Sequence, residues 1–170
     1  MGESTKQHAL HLPAEWAPHA KTWMAWPSGS YTLGETEAEA DEARGCWASV
    51  ANAVVRFEPV TMVVNPGGET IARTWLDERV EILSAPLDDA WMRDIGPTFV
   101  RQADGSLAGV NWVFNGWGAQ SWASWVDDAQ IARVVTGAAG TDTIDSPLIN
   151  EGGGIHVNGD GVVFVTETVQ

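Results

Sequence analysis

Thr98-Phe99-Val100-Arg101, then Gln102-Ala103-Asp104-Gly105-Ser106, then Leu107-Ala108-Gly109-Val110-Asn111-Trp112-Val113-Phe114 is the stretch on which the fold turns. Two runs rich in β-branched and aromatic residues flank an Asp-Gly pair, and Asp-Gly supplies the positive φ of a tight hairpin turn. A helical pattern over residues 125–135 follows, ended by a Gly-rich breaker at residues 137–140. A second hairpin signal lies downstream, where residues 155–157 and 162–166 flank Asn158-Gly159-Asp160-Gly161. Upstream, Val60-Thr61-Met62-Val63-Val64 is a β-rich run stopped by Asn65-Pro66-Gly67-Gly68, which predicts a buried strand. Residues 35–57 predict a helix. Acidic residues crowd its first turns, where the helix dipole favours them, and Ala43, Cys46, Trp47, Val50, Ala53 and Val54 recur at helical spacing. A short helix over residues 70–78 and a strand over residues 80–83, ended by Pro86, complete the pattern. The order predicts an α/β fold in which a hairpin-plus-helix unit resembles a repeat. No linker or composition break divides the chain, so residues 1–170 form one domain with a loose N-terminus over residues 1–11.

The chain has 170 residues, one domain's worth. It carries 23 acidic against 9 basic residues, a formal charge of −14. Such a surface repels phosphate backbones, which argues against a nucleic-acid partner, and attracts small cations. A single cysteine excludes an internal disulfide. No basic-then-apolar leader and no apolar run of membrane-spanning length occurs, so a cytoplasmic protein without a membrane partner is expected. The chain stops at Gln170 directly after an apolar strand, which points to a fragment. Ten tryptophans suggest a pocket or platform built from rings.

Asp88-Asp89-Ala90-Trp91-Met92-Arg93-Asp94-Ile95-Gly96-Pro97 is the densest polar cluster, and it leaves a strand. Three carboxylates beside a tryptophan can clamp a planar cation, because two carboxylate oxygens match two guanidinium N–H groups in a fork while a ring packs the ligand's face. A solvated acidic turn with Arg93 paired to Asp89 explains the same residues. In Glu151-Gly152-Gly153-Gly154, consecutive glycines permit close backbone approach or positive φ, and the glutamate before them could orient an imidazole or hold a cation. A flexible turn is the alternative there. Asn115-Gly116-Trp117-Gly118 is a tight turn bearing one large ring, either packed or lining a pocket.

Cys46 lies mid-helix among apolar neighbours and away from any helix N-terminus or cation, so a buried structural thiol is expected. His8, His11, His19 and His156 carry no ligand spacing and are expected to be structural or surface residues, His156 facing opposite to Ile155. No phosphate-binding loop, dinucleotide fingerprint or serine-hydrolase elbow occurs, and neither a metal nor a cofactor is expected.

Leu12-Pro13-Ala14-Glu15-Trp16 with Trp23-Met24-Ala25-Trp26-Pro27 resembles the N-terminal signature of the agmatine deiminase family, grouped with the Porphyromonas-type peptidyl-arginine deiminases. The segment from Asp88 to Pro97 resembles that family's first catalytic segment, and Phe114-Asn115-Gly116-Trp117-Gly118 and Glu151-Gly152-Gly153 match two more in order. The resemblance implies the guanidine-modifying superfamily, whose domain is a five-bladed α/β propeller (pentein fold) of ββαβ units. It implies hydrolysis of a guanidinium C–N bond through a cysteine thiolate, with a histidine moving protons. By the match, Asp94 binds the guanidinium, Trp91 flanks the substrate and Glu151 positions the catalytic histidine. Asp88, Asp89 and Trp117 are further substrate-binding candidates. The family's Gly-His-x-Asp segment and late cysteine have no counterpart here, and Cys46 occupies no such position. The expectation is therefore the N-terminal half of an agmatine deiminase, two to three blades of five, inactive alone. Its partner is a small cationic guanidinium compound, and a homo-oligomer is compatible with the resemblance. Three other readings stay open: a deiminase of arginine in peptides, a non-catalytic carbohydrate-binding module using Trp112, Trp117, Trp122 and Trp125, and a glycosidase with Asp94 and Glu151 as its acid pair.

Overall fold

The computed structural model describes residues 10–167 and is a mixed α/β fold. The first layer is a parallel sheet of β1 (Thr22–Ala25), β2 (Val60–Val64) and β3 (Glu81–Ser84), in that spatial order. β2 is central and wholly buried, as its unbroken apolar run predicts, because both of its faces are covered. Val60, Met62 and Val64 face Ala48, Ala51, Ala72 and Leu76 of the two crossover helices, whereas Val63 packs with Ala25, Ile131 and Val135 on the other side. After a single turn α1 (Ser30–Leu33), helix α2 (Glu37–Val54) joins β1 to β2, and α3 (Glu69–Trp75) joins β2 to β3. α2 starts at a capping box: Thr36 accepts from the Glu39 amide, and the Glu39 carboxylate accepts from the Thr36 amide.

The second layer holds the expected hairpin, β4 (Thr98–Arg101) against β5 (Leu107–Val113), with Gly105 at φ 85° in the turn. A single helical turn α4 (Met92–Ile95) precedes it, and a tight turn α5 (Gly116–Ala119) follows it. Helix α6 (Ile131–Ala139) then leads to β6 (Asp142–Ile149), which pairs parallel to β5. The last elements are a hairpin of β7 (Ile155–Val157) and β8 (Val163–Val165), with Ile155 and His156 on opposite faces and His156 exposed.

Several expectations are corrected. α6 begins later than residue 125, after a 3-10 turn at Asp128–Gln130, and runs through Gly137 to a left-handed cap at Gly140. β1 and β6 were not expected. β1 is four residues inside a tryptophan-rich stretch, and β6 contains Asp145 and Pro147, which an edge strand tolerates. The first sheet therefore contains no hairpin. Cys46 is exposed, not buried. α2 presents Ala40, Ala48 and Ala51 to the core, so the buried stripe is rotated and Val50 also faces outward. Alanines let the helix lie close on the sheet, and that close contact outweighs the larger side chains of the other face. In the segment expected to be loose, His11 bridges the Arg101 backbone, while residues 1–9, with His8, and residues 168–170 lie outside the described residues.

Candidate active site

The chain leaves β3 through a loop that an interlock of carboxylates fixes. Asp128, fully buried, accepts from the amides of Asp88 at 2.9 Å and Asp89 at 3.1 Å. Asp88 reciprocates, accepting from the amides of Asp127 at 2.7 Å and Asp128 at 3.3 Å. Burial pushes the Asp128 carboxyl up to about 7, against the pull of its two amide donors and with the charges of Asp88 and Asp89 adding to the rise. Asp89 is also buried and accepts from the Thr32 hydroxyl, from the Ala90 amide at 2.7 Å and from the Trp91 indole at 3.1 Å. Both loop carboxylates are thus engaged by donors of the chain itself. Trp91 is partly exposed and meets Trp47 edge-on at 5.4 Å.

Asp94 sits on α4, half-buried. Its Oδ2 accepts from the Trp117 indole at 3.2 Å, and its Oδ1 accepts from the Gly153 amide at 3.1 Å. Burial raises its carboxyl above the ordinary range, while these two donors and Arg93 pull it back. Glu151 is raised as well, by burial and then by the charge of Asp94. The two clusters singled out in the sequence, 59 residues apart at this contact, therefore meet. The Glu-Gly-Gly glycines explain how. A Cβ on Gly152 would lie 2.4 Å from the Arg93 carbonyl oxygen, and one on Gly153 only 2.2 Å from Asp94 Oδ1. Any side chain at either position would drive the turns apart.

Trp117 takes a left-handed conformation at φ 57°, as does Ala119 at the same φ, each at a cost of about 1–2 kcal/mol for a residue with a side chain. The turn is held by Asn115, whose side chain accepts from the Gly118 amide at 2.9 Å. The Trp117 ring lies edge-on to buried Phe114 at 5.1 Å and stacks on Trp122 at 5.4 Å. Of the other rings grouped as a platform, Trp112 donates to the Thr98 hydroxyl at 2.8 Å and Trp125 packs against Gly116.

Arg93 does not pair with Asp89. It makes a two-pronged bridge to Glu15 at 2.7 and 3.1 Å, tying the N-terminal segment to α4. Beside this bridge lies a cleft of about 580 Å³ lined by Glu15, Met92, Arg93, Phe99, Gly152 and His156; Asp94 and Trp91 are not in its wall. Asp94 and Glu151, both raised by burial, converge outside the wall of this cleft. Among the described residues no group of three or more His, Cys, Asp and Glu side chains could hold a metal ion. The sequence reading missed Asp128 and Thr32; the Asp-Asp pair before α6 was the available signal for the first, and nothing local marks the second.

A carboxylate offers about four lone-pair directions, and the two donors occupy one on each Asp94 oxygen. Each oxygen therefore keeps one direction for a further donor.

The chain matches the sequence profile of the Porphyromonas-type peptidyl-arginine deiminases over residues 11–170. It is 58% identical over 161 residues to a Streptomyces coelicolor protein provisionally named an agmatine deiminase, and 40% identical over 167 residues to the agmatine deiminase of Stutzerimonas stutzeri. Each alignment covers 95% of this chain but 47% and 45% of the respective relative, so the chain spans about half the length of the curated relatives it matches. The solved agmatine deiminase of Enterococcus faecalis superposes with a TM-score of 0.84 at 31% identity, over 93% of this chain and 44% of that one. The chain belongs to the Porphyromonas-type peptidyl-arginine deiminase family.

Proposed function

We propose that this chain is the substrate-holding part of an agmatine deiminase, a hydrolase that converts agmatine to N-carbamoylputrescine and ammonia. The observation that carries the reading is the contact of the Asp94 turn with the Glu151-Gly152-Gly153 turn, which leaves two half-buried carboxylates close enough for their charges to interact, beside the Trp117 ring. Asp94 accepts the paired N–H groups of the guanidinium, and Trp91 packs against the ligand. Trp117 lines the site behind Asp94. Glu151 orients the imidazole that moves protons. Asp88 and Asp89, held by donors of the chain itself, add negative charge near the site that draws in a dication.

In the reaction a thiolate adds to the guanidinium carbon, a C–N bond breaks and ammonia leaves with a proton from the imidazole. Water then adds to the amidino-thioether, and the thiol departs to leave the ureido product. The thiol and imidazole lie further along the chain in the family's pattern, so the activity belongs to the complete protein. Cys46, exposed on α2, is not assigned this role.

The succession β4, β5, α6, β6 has the order of a ββαβ unit, and the relatives are about twice as long. The strand order supports one ββαβ unit, and the relatives' length supports residues 1–170 as the N-terminal half of one domain. A five-bladed propeller in a cytoplasmic enzyme able to form a homo-oligomer belongs to the same proposal and rests on the family resemblance. No helix among the described residues is long and apolar enough to cross a membrane.

A second substrate, arginine within peptides, is favoured by the description of the matching family. Ammonia release by the complete protein from agmatine and from an arginine peptide separates the two. Release from agmatine, with one ureido product per ammonia, is expected; release from the peptide alone, or from neither, overturns the assignment.

A further inference from the structure

The turn at residues 116–119 has a backbone that needs a reason. Gly116, Trp117, Gly118 and Ala119 all have positive φ, at 67°, 57°, 86° and 57°, and two of the four carry side chains. The conformation is held from several directions. The Asn115 side chain accepts from the Gly118 amide, the Asn115 carbonyl accepts from the Ala119 amide, and the Gln120 side chain donates to the Trp117 carbonyl. Gly116 has no room for a side chain, since a Cβ would lie 2.3 Å from the Trp125 ring. Strained backbone that its surroundings over-determine marks a position where something must be aimed. Here the aimed group is the Trp117 ring, braced by Phe114 and Trp122, with its indole N–H on Asp94 Oδ2.

We infer that Trp117 is a positioning residue that sets the direction of the Asp94 carboxylate. Its donor lies on Oδ2 and the Gly153 donor on Oδ1, so the carboxylate cannot rotate about its terminal bond without losing one of them. The rotation so prevented would turn the two free lone-pair directions away from a planar cation. The charged groups facing Asp94 are Arg93 on its own turn and Glu151 on the glycine turn; neither donates a hydrogen bond to it. Trp117 therefore acts through Asp94 and not through charge. This inference rests on Asp94 as the guanidinium-binding group.

The test separates the two ideas. In the complete protein labelled with ¹⁵N-tryptophan and ¹³C-aspartate, the Trp117 indole resonance should follow the titration of the Asp94 carboxyl. That step should vanish in Asp94→Asn. Trp117→Phe keeps a ring and removes the donor to the ionised form, so the Asp94 carboxyl should titrate at higher pH. In the complete protein the same variant should lose roughly ten- to a hundredfold in kcat/KM, with the acidic limb of its pH profile moved to higher pH. An indole resonance blind to Asp94, or an Asp94 titration unmoved by Trp117→Phe, overturns the positioning role whatever the activity. An intact titration coupling in a protein that turns over no guanidine leaves the positioning role standing and overturns the proposed function.

Discussion

Gly153→Ala adds one methyl group at the contact that joins the two carboxylate turns. The new Cβ would lie 2.2 Å from Asp94 Oδ1, whereas ordinary van der Waals contact begins near 3.4 Å. The turns must therefore separate by roughly 1 Å, since the repulsive wall is steep and a short carboxylate has little freedom to yield. That movement also breaks the 3.1 Å bond from the Gly153 amide to Asp94. A misplacement of about 1 Å at a reacting group costs on the order of a hundredfold in rate. Folding should suffer by about 1–3 kcal/mol of overpacking. Gly137→Ala is the control. It lies within α6, a Cβ there meets nothing within 4 Å, and alanine should stabilise the helix by about 0.5–1 kcal/mol. The assays are kcat/KM for agmatine in the complete protein and urea unfolding of both variants. If Gly153→Ala keeps kcat/KM within about threefold of the parent, the two turns do not form one site.

Asp94→Asn and Asp89→Asn should fail in different proportions: the first should lose on the order of a hundredfold in kcat/KM and about 1 kcal/mol of stability, since one of its two donors would face an amide N–H, whereas the second should lose about 1–3 kcal/mol of stability because buried Asp89 holds Thr32, Ala90 and Trp91, as paired kinetics and denaturation would show. For Asp128 the folded carboxyl, at about 7, lies above its unfolded value, so the folded state holds the extra proton and loses stability as pH rises from about 4 to about 7. Asp128→Asn cannot ionise, so its stability relative to the parent should climb across that window and level off above it, measured by urea unfolding at stepped pH. Cys46, exposed on α2, should label promptly with a thiol reagent in the folded protein, and Cys46→Ser should change stability by less than about 0.5 kcal/mol.

Much of this architecture was legible because local chemistry and tertiary context agree. Val60–Val64 reads as a buried strand and is one, and Asp104-Gly105 reads as a hairpin turn and is one. The strands that escaped notice depend on partners. β6, with two aspartates and a proline in eight residues, has poor intrinsic strand character and exists because β5 offers it a ladder. The face of α2 was misjudged because alanine occurs on both sides, and only the sheet beneath decides which side closes. At the site, the carboxylates and glycines stood out as clusters, but their contact is long-range: nothing near Gly153 announces that Asp94 lies against it. Asp128 shows the same limit, since a residue before a helix looks like a cap until the loop it clamps is in place.

The structure of the complete protein with agmatine bound tests the central claim most directly. The account predicts guanidinium nitrogens within about 3 Å of both Asp94 oxygens, the Trp91 ring against the ligand, and the Trp117 and Gly153 donors still in place. A guanidinium seated in the cleft between Glu15 and His156, with Asp94 unengaged, would contradict it.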